Sequence, residues 1–170
     1  MIMNRSIEEL KIRANKLQKS AASGDVAALK QIRRIHTSGE EVKRKTCLNT
    51  LALGLGFSDW TAARDFLSGD ASDVQNRGTF WYSPKCTTLL NHWFVDYAEA
   101  CEFLEKSSSY FLLPYKNQFI VVDTDYLKTL ELWESGNGNW QAMGRNAVKG
   151  YNTQPWHELI WLRISSLRTV

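Results

Sequence analysis

The chain has 170 residues, 44% of them apolar and 23% charged, which suits a packed core of one or two small domains; it holds no apolar run of 18 residues to span a bilayer. The early charges of Arg5, Glu8 and Glu9 argue against a secretory signal, and three cysteines without a C-x-x-C pair argue against a disulfide framework, so the cytoplasm is the expected setting. The net charge of +3 is uneven: residues 1–70 carry 12 basic and 8 acidic side chains, residues 71–170 carry 9 and 10, a balance that permits nucleic-acid contact without requiring it.

The first seventy residues read as four short helices. Ser6 and Glu9 have capping-box spacing, and Ile7, Leu10, Ala14, Leu17 and Ala21 then fall on one side of a helix. Asp25 caps a second helix with Leu29, Ile32 and Ile35 inward. Ser38 and Glu41 form another capping box before Cys47, Leu48, Leu51, Ala52 and Leu55, with Gly56 placed to end that helix. Ser58 and Asp59 start a fourth helix carrying Trp60, Ala63, Phe66 and Leu67, closed by Gly69. Residues 1–69 are therefore expected to form a small helical bundle, and the polar residues 70–78 a linker.

Residues 79–170 change character, holding six of the seven tryptophans. Thr79–Tyr82 reads as a short strand ended by Pro84, and Leu89–Phe94 fits helix or strand alike. Asp96 caps a helix through Ala100, Phe103 and Leu104. A β-hairpin follows, with strands 110–113 and 118–122 around the loop 114–117. Asp123 or Thr124 caps a helix around Tyr126, Leu127 and Leu130; 134–139 reads as a loop and 140–146 as a helical turn. The last helix has Thr153 as cap and Pro155 in its first turn, with Trp156, Leu159, Ile160, Ile164 and Leu167 on one face. Helices segregated from an antiparallel hairpin define an α+β class.

Several constellations bear on chemistry. Cys86 and His92 form a C-x5-H pair, and His36, Cys47, Cys101 and His157 are scattered; no second pair completes a structural zinc set, so neither metal nor other cofactor is expected. Cys86, His92 and Asp96 can be assembled into thiol, base and orienting carboxylate, with Lys85 adjacent to depress the thiol, which is the cysteine-enzyme reading; the plainer one has Cys86 and His92 packing in the core. Gly54-Leu55-Gly56 and Gly136-Asn137-Gly138 lack a phosphate-binding fingerprint. Arg33, Arg34, Lys43, Arg44 and Lys45 flank one turn and can converge on phosphates, with Asn49 and Thr50 facing outward; the plainer reading is a solvated basic face. Trp81, Tyr82, Trp93 and Phe94 are either stacking platforms for bases or aromatic core. Trp161 and Leu162 fall outside the main stripe of the last helix and mark a candidate interface with a protein partner or a second copy.

Lys45–Ala52 followed by Leu55-Gly56-Phe57-Ser58-Asp59-Trp60 resembles a helical segment of bacterial glyoxalase-related proteins: a helix, Leu-Gly-aromatic, then a polar pair and Trp opening the next helix. The resemblance covers about thirty residues and implies structural roles for Leu51, Ala52, Leu55, Gly56, Phe57, Asp59 and Trp60, without glyoxalase chemistry. Gly78–Trp81, Leu90–Phe94, Phe111–Tyr115 and Gln118-Phe119 resemble segments of uncharacterised bacterial proteins. The function expected is that of a non-catalytic intracellular binding or adaptor protein, with nucleic-acid binding and cysteine-dependent catalysis as alternatives.

Overall fold

In the computed structural model residues 4–36, 41–71 and 77–167 are described. The chain divides into two compact units, one ending at Ser68 and the other beginning at Gly69. The protein is α+β: among the described residues there are eight α-helices and one three-stranded antiparallel sheet.

The first unit consists of α1 (Arg5–Ala22), α2 (Val26–Ile32), α3 (Arg44–Gly54) and α4 (Trp60–Ser68). Ser6 does not cap α1. Asn4 does, its Oδ1 accepting from the Ser6 and Ile7 amides at 3.1 and 3.2 Å while its Nδ2 donates to the Leu67 carbonyl at 2.8 Å; Ser6 is buried inside the first turn. Asp25 caps α2 through the Ala28 amide at 2.7 Å, but the helix stops at Ile32 and leaves Ile35 40% exposed rather than inward. The capping box expected at Ser38 falls outside the described residues, and Glu41–Lys43 are not helical. Helix α3 begins only at Arg44, with Lys43 in the cap position and no side-chain hydrogen bond to the first turn. Gly56, at φ 90°, provides the left-handed residue that ends it. Helix α4 starts from two carboxyl- or amide-type acceptors: Asp59 takes the Ala62 amide and Asn49 the Trp60 amide, both at 2.9 Å.

A shared apolar cluster of Ala14, Ala21, Ala28, Ile32, Cys47, Leu48 and Leu51 joins α1, α2 and α3. Its three alanines let the helix backbones approach closely, and each fully buried leucine contributes roughly 2 kcal/mol of apolar burial.

In the second unit Thr79–Tyr82 is a turn, not a strand: the Tyr82 amide donates to the Thr79 carbonyl at 3.0 Å. Phe80 and Trp81 are both buried although adjacent, a pattern that an extended strand with one solvent face does not allow. After a 3-10 turn at Pro84–Cys86 come β1 (Asn91–Phe94), α5 (Tyr97–Leu104), β2 (Phe111–Tyr115), β3 (Gln118–Val122), α6 (Thr124–Thr129), α7 (Asn137–Ala142) and α8 (Gln154–Ser166). Pro114 lies within β2, so the hairpin turn is only Lys116-Asn117, with Lys116 at φ 50°. The loop expected at 134–139 gives way to α7 at Asn137. Thr153 occupies the cap position of α8, but its hydroxyl donates to the Gly150 carbonyl and accepts no amide of the helix's first turn.

Strand order is β1-β3-β2. Alternation sends His92, Phe94, Leu112, Phe119 and Val121 toward α5, where they meet Ala100, Phe103 and Leu104. The opposite face carries Phe111 against Trp133 and Trp140, each at 5.6 Å between ring centres, and Trp140 continues to Trp81 at 6.1 Å. The ends of the expected linker are held: the Ala71 amide donates to the Tyr151 hydroxyl at 3.2 Å, and Gly78 accepts from the Lys116 amide at 2.7 Å.

Candidate functional site

The two outer strands of the sheet are finished differently. Along β2, the Leu112 amide donates to Arg145 and the Leu112 carbonyl accepts from the Ala147 amide, both at 2.9 Å, so residues 145–147 run beside the strand and cover it. Along β1, no backbone hydrogen bond other than the ladder to β3 occurs among the described residues. Half of the peptide groups of a strand paired on one side point away from its neighbour, so β1 presents open donors and acceptors. The side chains around it are apolar and exposed: Leu90 63%, Trp93 46%, Val95 76% and Tyr97 36%. These four fall within eight consecutive residues and are half of the exposed large hydrophobic side chains among the described residues, which makes the β1 edge the densest such stretch.

Two neighbours hold this edge in place. Trp93 packs edge-on against Tyr115 at 4.9 Å, and Tyr115 in turn against Tyr82 at 5.5 Å. Tyr97, at the start of α5, has its hydroxyl held by the buried Asn146 side chain at 2.9 Å; burial pushes that hydroxyl above its ordinary pKa. The Asn146 carbonyl oxygen accepts from the Val148 and Lys149 amides, both at 3.0 Å, so the whole amide is satisfied.

The structure does not bring Cys86, His92 and Asp96 together. Asn91 donates to the Cys86 carbonyl at 3.4 Å, whereas the next residue, His92, projects from the other face of β1 onto Phe103 at 4.3 Å and Tyr110 at 5.9 Å. Period-two alternation therefore puts the sheet between thiol and imidazole. Asp96 is the N-cap of α5, accepting from the Glu99 amide at 3.0 Å. Cys86 is fully buried, and burial raises its thiol above the usual range, opposed by the Ser83 backbone, Arg163 and Tyr126.

Arg163 is itself buried, donating to the Phe80 and Tyr82 carbonyls at 3.5 and 3.3 Å, and burial lowers its pKa; a guanidinium still stays protonated there. Tyr126 donates to the Trp81 carbonyl at 2.8 Å, and burial drives its hydroxyl strongly upward. Together these groups pin the 80–86 segment onto α6 and α8. They are inward, satisfied by carbonyls and closed to solvent.

Trp161 and Leu162 are half-buried, so α8 offers no bare apolar face at that point. Of the aromatic candidates, Trp81 is buried, Tyr82 and Phe94 are half-buried and Trp93 alone is exposed. The five basic residues Arg33, Arg34, Lys43, Arg44 and Lys45 are all exposed. Asn49 and Thr50 do not face outward: Asn49 caps α4, and Thr50 is buried with its hydroxyl on the Thr46 carbonyl at 2.9 Å. A depression of about 360 Å³ lined by Ala142, Met143, Gly144, Lys149, Gly150, Thr153 and Pro155 contains no tryptophan, thiol or imidazole. No group of three metal-ligating side chains forms among the described residues. The chain matches no known protein family, no curated protein and no solved structure.

Proposed function

We propose that this is a protein-binding molecule whose second unit takes an extended segment of a partner along the β1 edge. The single observation that carries the reading is the asymmetry of the sheet: one outer strand is covered by residues 145–147, and the other is open and flanked by Leu90, Trp93 and Val95. A strand added to such an edge gains main-chain hydrogen bonds for affinity and side-chain contacts at alternate positions for specificity. Trp93 supplies a rigid, partly exposed aromatic anchor of the kind that dominates binding energy. The partner's segment is accordingly extended, with apolar residues at every second position.

Selection from a displayed library of random twelve-residue peptides tests this. The wild-type protein should enrich alternately apolar peptides, whose affinity falls tenfold or more on the doubly substituted Trp93→Lys, Val95→Lys protein. Absence of enrichment, or equal binding by the substituted protein, contradicts the reading. Val95 is mostly exposed and Trp93 gives up one edge-on contact, with Tyr115, so the substitutions should lower the melting temperature by only a few degrees.

A further inference from the structure

The helical unit carries more cations than its acidic side chains balance. Residues 1–68 hold 12 basic and 7 acidic side chains, a net +5. Among the described residues Glu8 pairs with Lys11, Glu9 with Arg13 and Asp65 with Arg64, while Asp25 and Asp59 serve as helix caps. None of Arg33, Arg34, Lys43, Arg44 and Lys45 stands in an ion pair among the described residues; Glu41 is the exposed acid beside them.

Packing gathers these cations at one end of the bundle. Ile32, one residue before Arg33, shares the buried cluster with Cys47 and Leu48, which follow Lys45 by only two and three positions. The segment before α3 is fastened to α1 at two points: Gln18 donates to the Val42 carbonyl at 2.9 Å, and Arg44 donates to Asn15 at 2.8 Å. Exposed Lys16 and Lys19 lie on that same stretch of α1. Three neighbouring elements, α1, the end of α2 and the start of α3, thus carry seven exposed cations. Lys43, Arg44 and Lys45 also occupy the cap and first turn of α3, which has no acidic residue and no side-chain cap. The helix dipole opposes positive charge there, so the arrangement weakens the fold it belongs to.

We propose that this basic end binds the phosphate backbone of duplex nucleic acid without regard to sequence. Exposed, unpaired Lys and Arg on several elements neutralise neighbouring phosphates and release their counterions. The exposed positions named here include no aromatic side chain, which disfavours both stacking on unpaired bases and anchoring in lipid. Asn49 and Thr50, the polar residues of α3 suited to base edges, are occupied in capping and in the core, so the contact reads charge and shape and not bases. This surface belongs to the helical unit and is independent of the β1 edge.

The test is fluorescence anisotropy with labelled 25-base-pair duplexes of unrelated sequence, with a single strand and anionic phosphatidylserine vesicles as competitors, between 50 and 200 mM salt. Duplexes of different sequence should bind alike and weaken steeply with salt. Lys43→Gln, Arg44→Gln, Lys45→Gln together should cost about tenfold or more in affinity and reduce the log–log salt slope by about 3. Arg33→Gln with Arg34→Gln should act in the same direction, and Lys128→Gln should not. The triple variant loses the Arg44–Asn15 hydrogen bond but also the unfavourable charge at the start of α3, so it should melt within a few degrees of wild type, which separates lost binding from lost fold. No duplex binding at 50 mM salt, an unchanged affinity in the triple variant, or preferential capture by vesicles or single strands overturns the proposal.

Discussion

At the residue scale, polar side chains carry tasks that the backbone leaves undone. Arg145 shows this most clearly. Its Nη1 donates to the carbonyls of Leu104, Ser107 and Tyr110 at 3.3, 2.7 and 3.0 Å, closing the C-terminal end of α5 with a cation where the dipole favours one. Glu105, 3.7 Å away and largely exposed, adds little to this. Arg145→Ala should lower unfolding free energy by about 2–3 kcal/mol in urea titration, and Arg145→Lys should recover less than half, because an ammonium on a flexible stem lacks the fixed planar fork that holds the guanidinium in place. His157 supplies a pH signature. It bonds Asn152 at 2.9 Å, and burial holds its pKa below the ordinary histidine value. The unfolded chain therefore binds the proton first as pH falls, and stability is complete above the ordinary value and lost as pH drops toward the folded one. Melting measured from pH 8 to pH 5 should show that decline, and His157→Gln should flatten it.

At the element scale, local chemistry was readable and long-range pairing was not. Asp25, Asp59, Asp96 and Asp123 cap helices as their spacing implies, because a cap needs only a carboxylate and an amide two or three residues on. Ser6 is not the cap because the helix already begins at Arg5, where Asn4 takes the Ser6 and Ile7 amides and also reaches Leu67. Phe80 and Trp81 mimicked a strand because aromatic β-propensity reports burial more than backbone preference. The Asn49 cap on α4 was invisible, since it spans eleven residues between two helices. Asn49→Ala should cost roughly 1 kcal/mol by thermal unfolding, with Asn49→Asp restoring most of it; an unchanged melting temperature for the alanine variant would deny Asn49 that role.

At the scale of the whole molecule, the α+β class could be read from the segregation of helices and hairpin, while of the candidate site only Trp93 was singled out, as a platform for bases and not as part of a strand edge. Leu90 and Val95 carried no periodic signal, and their exposure depends on β1 pairing with β3 and so lying at the outside of the sheet. The stripe argument pointed instead to Trp161 and Leu162, which the structure half-buries. No helix among the described residues is long and apolar enough to cross a membrane. Among the described residues, the molecule is distinguished by an apolar strand edge with no further backbone partner in one unit and a basic end without ion pairs in the other.

The openness of that edge is measurable by residue-resolved amide hydrogen exchange on the protein without partner. Alternate amides of Asn91–Phe94 should exchange at nearly unprotected rates, while Leu112 and Ala147, whose amides serve the covered edge, should be slow. Uniform protection of all four β1 amides would mean that the edge is already covered, and would contradict the account.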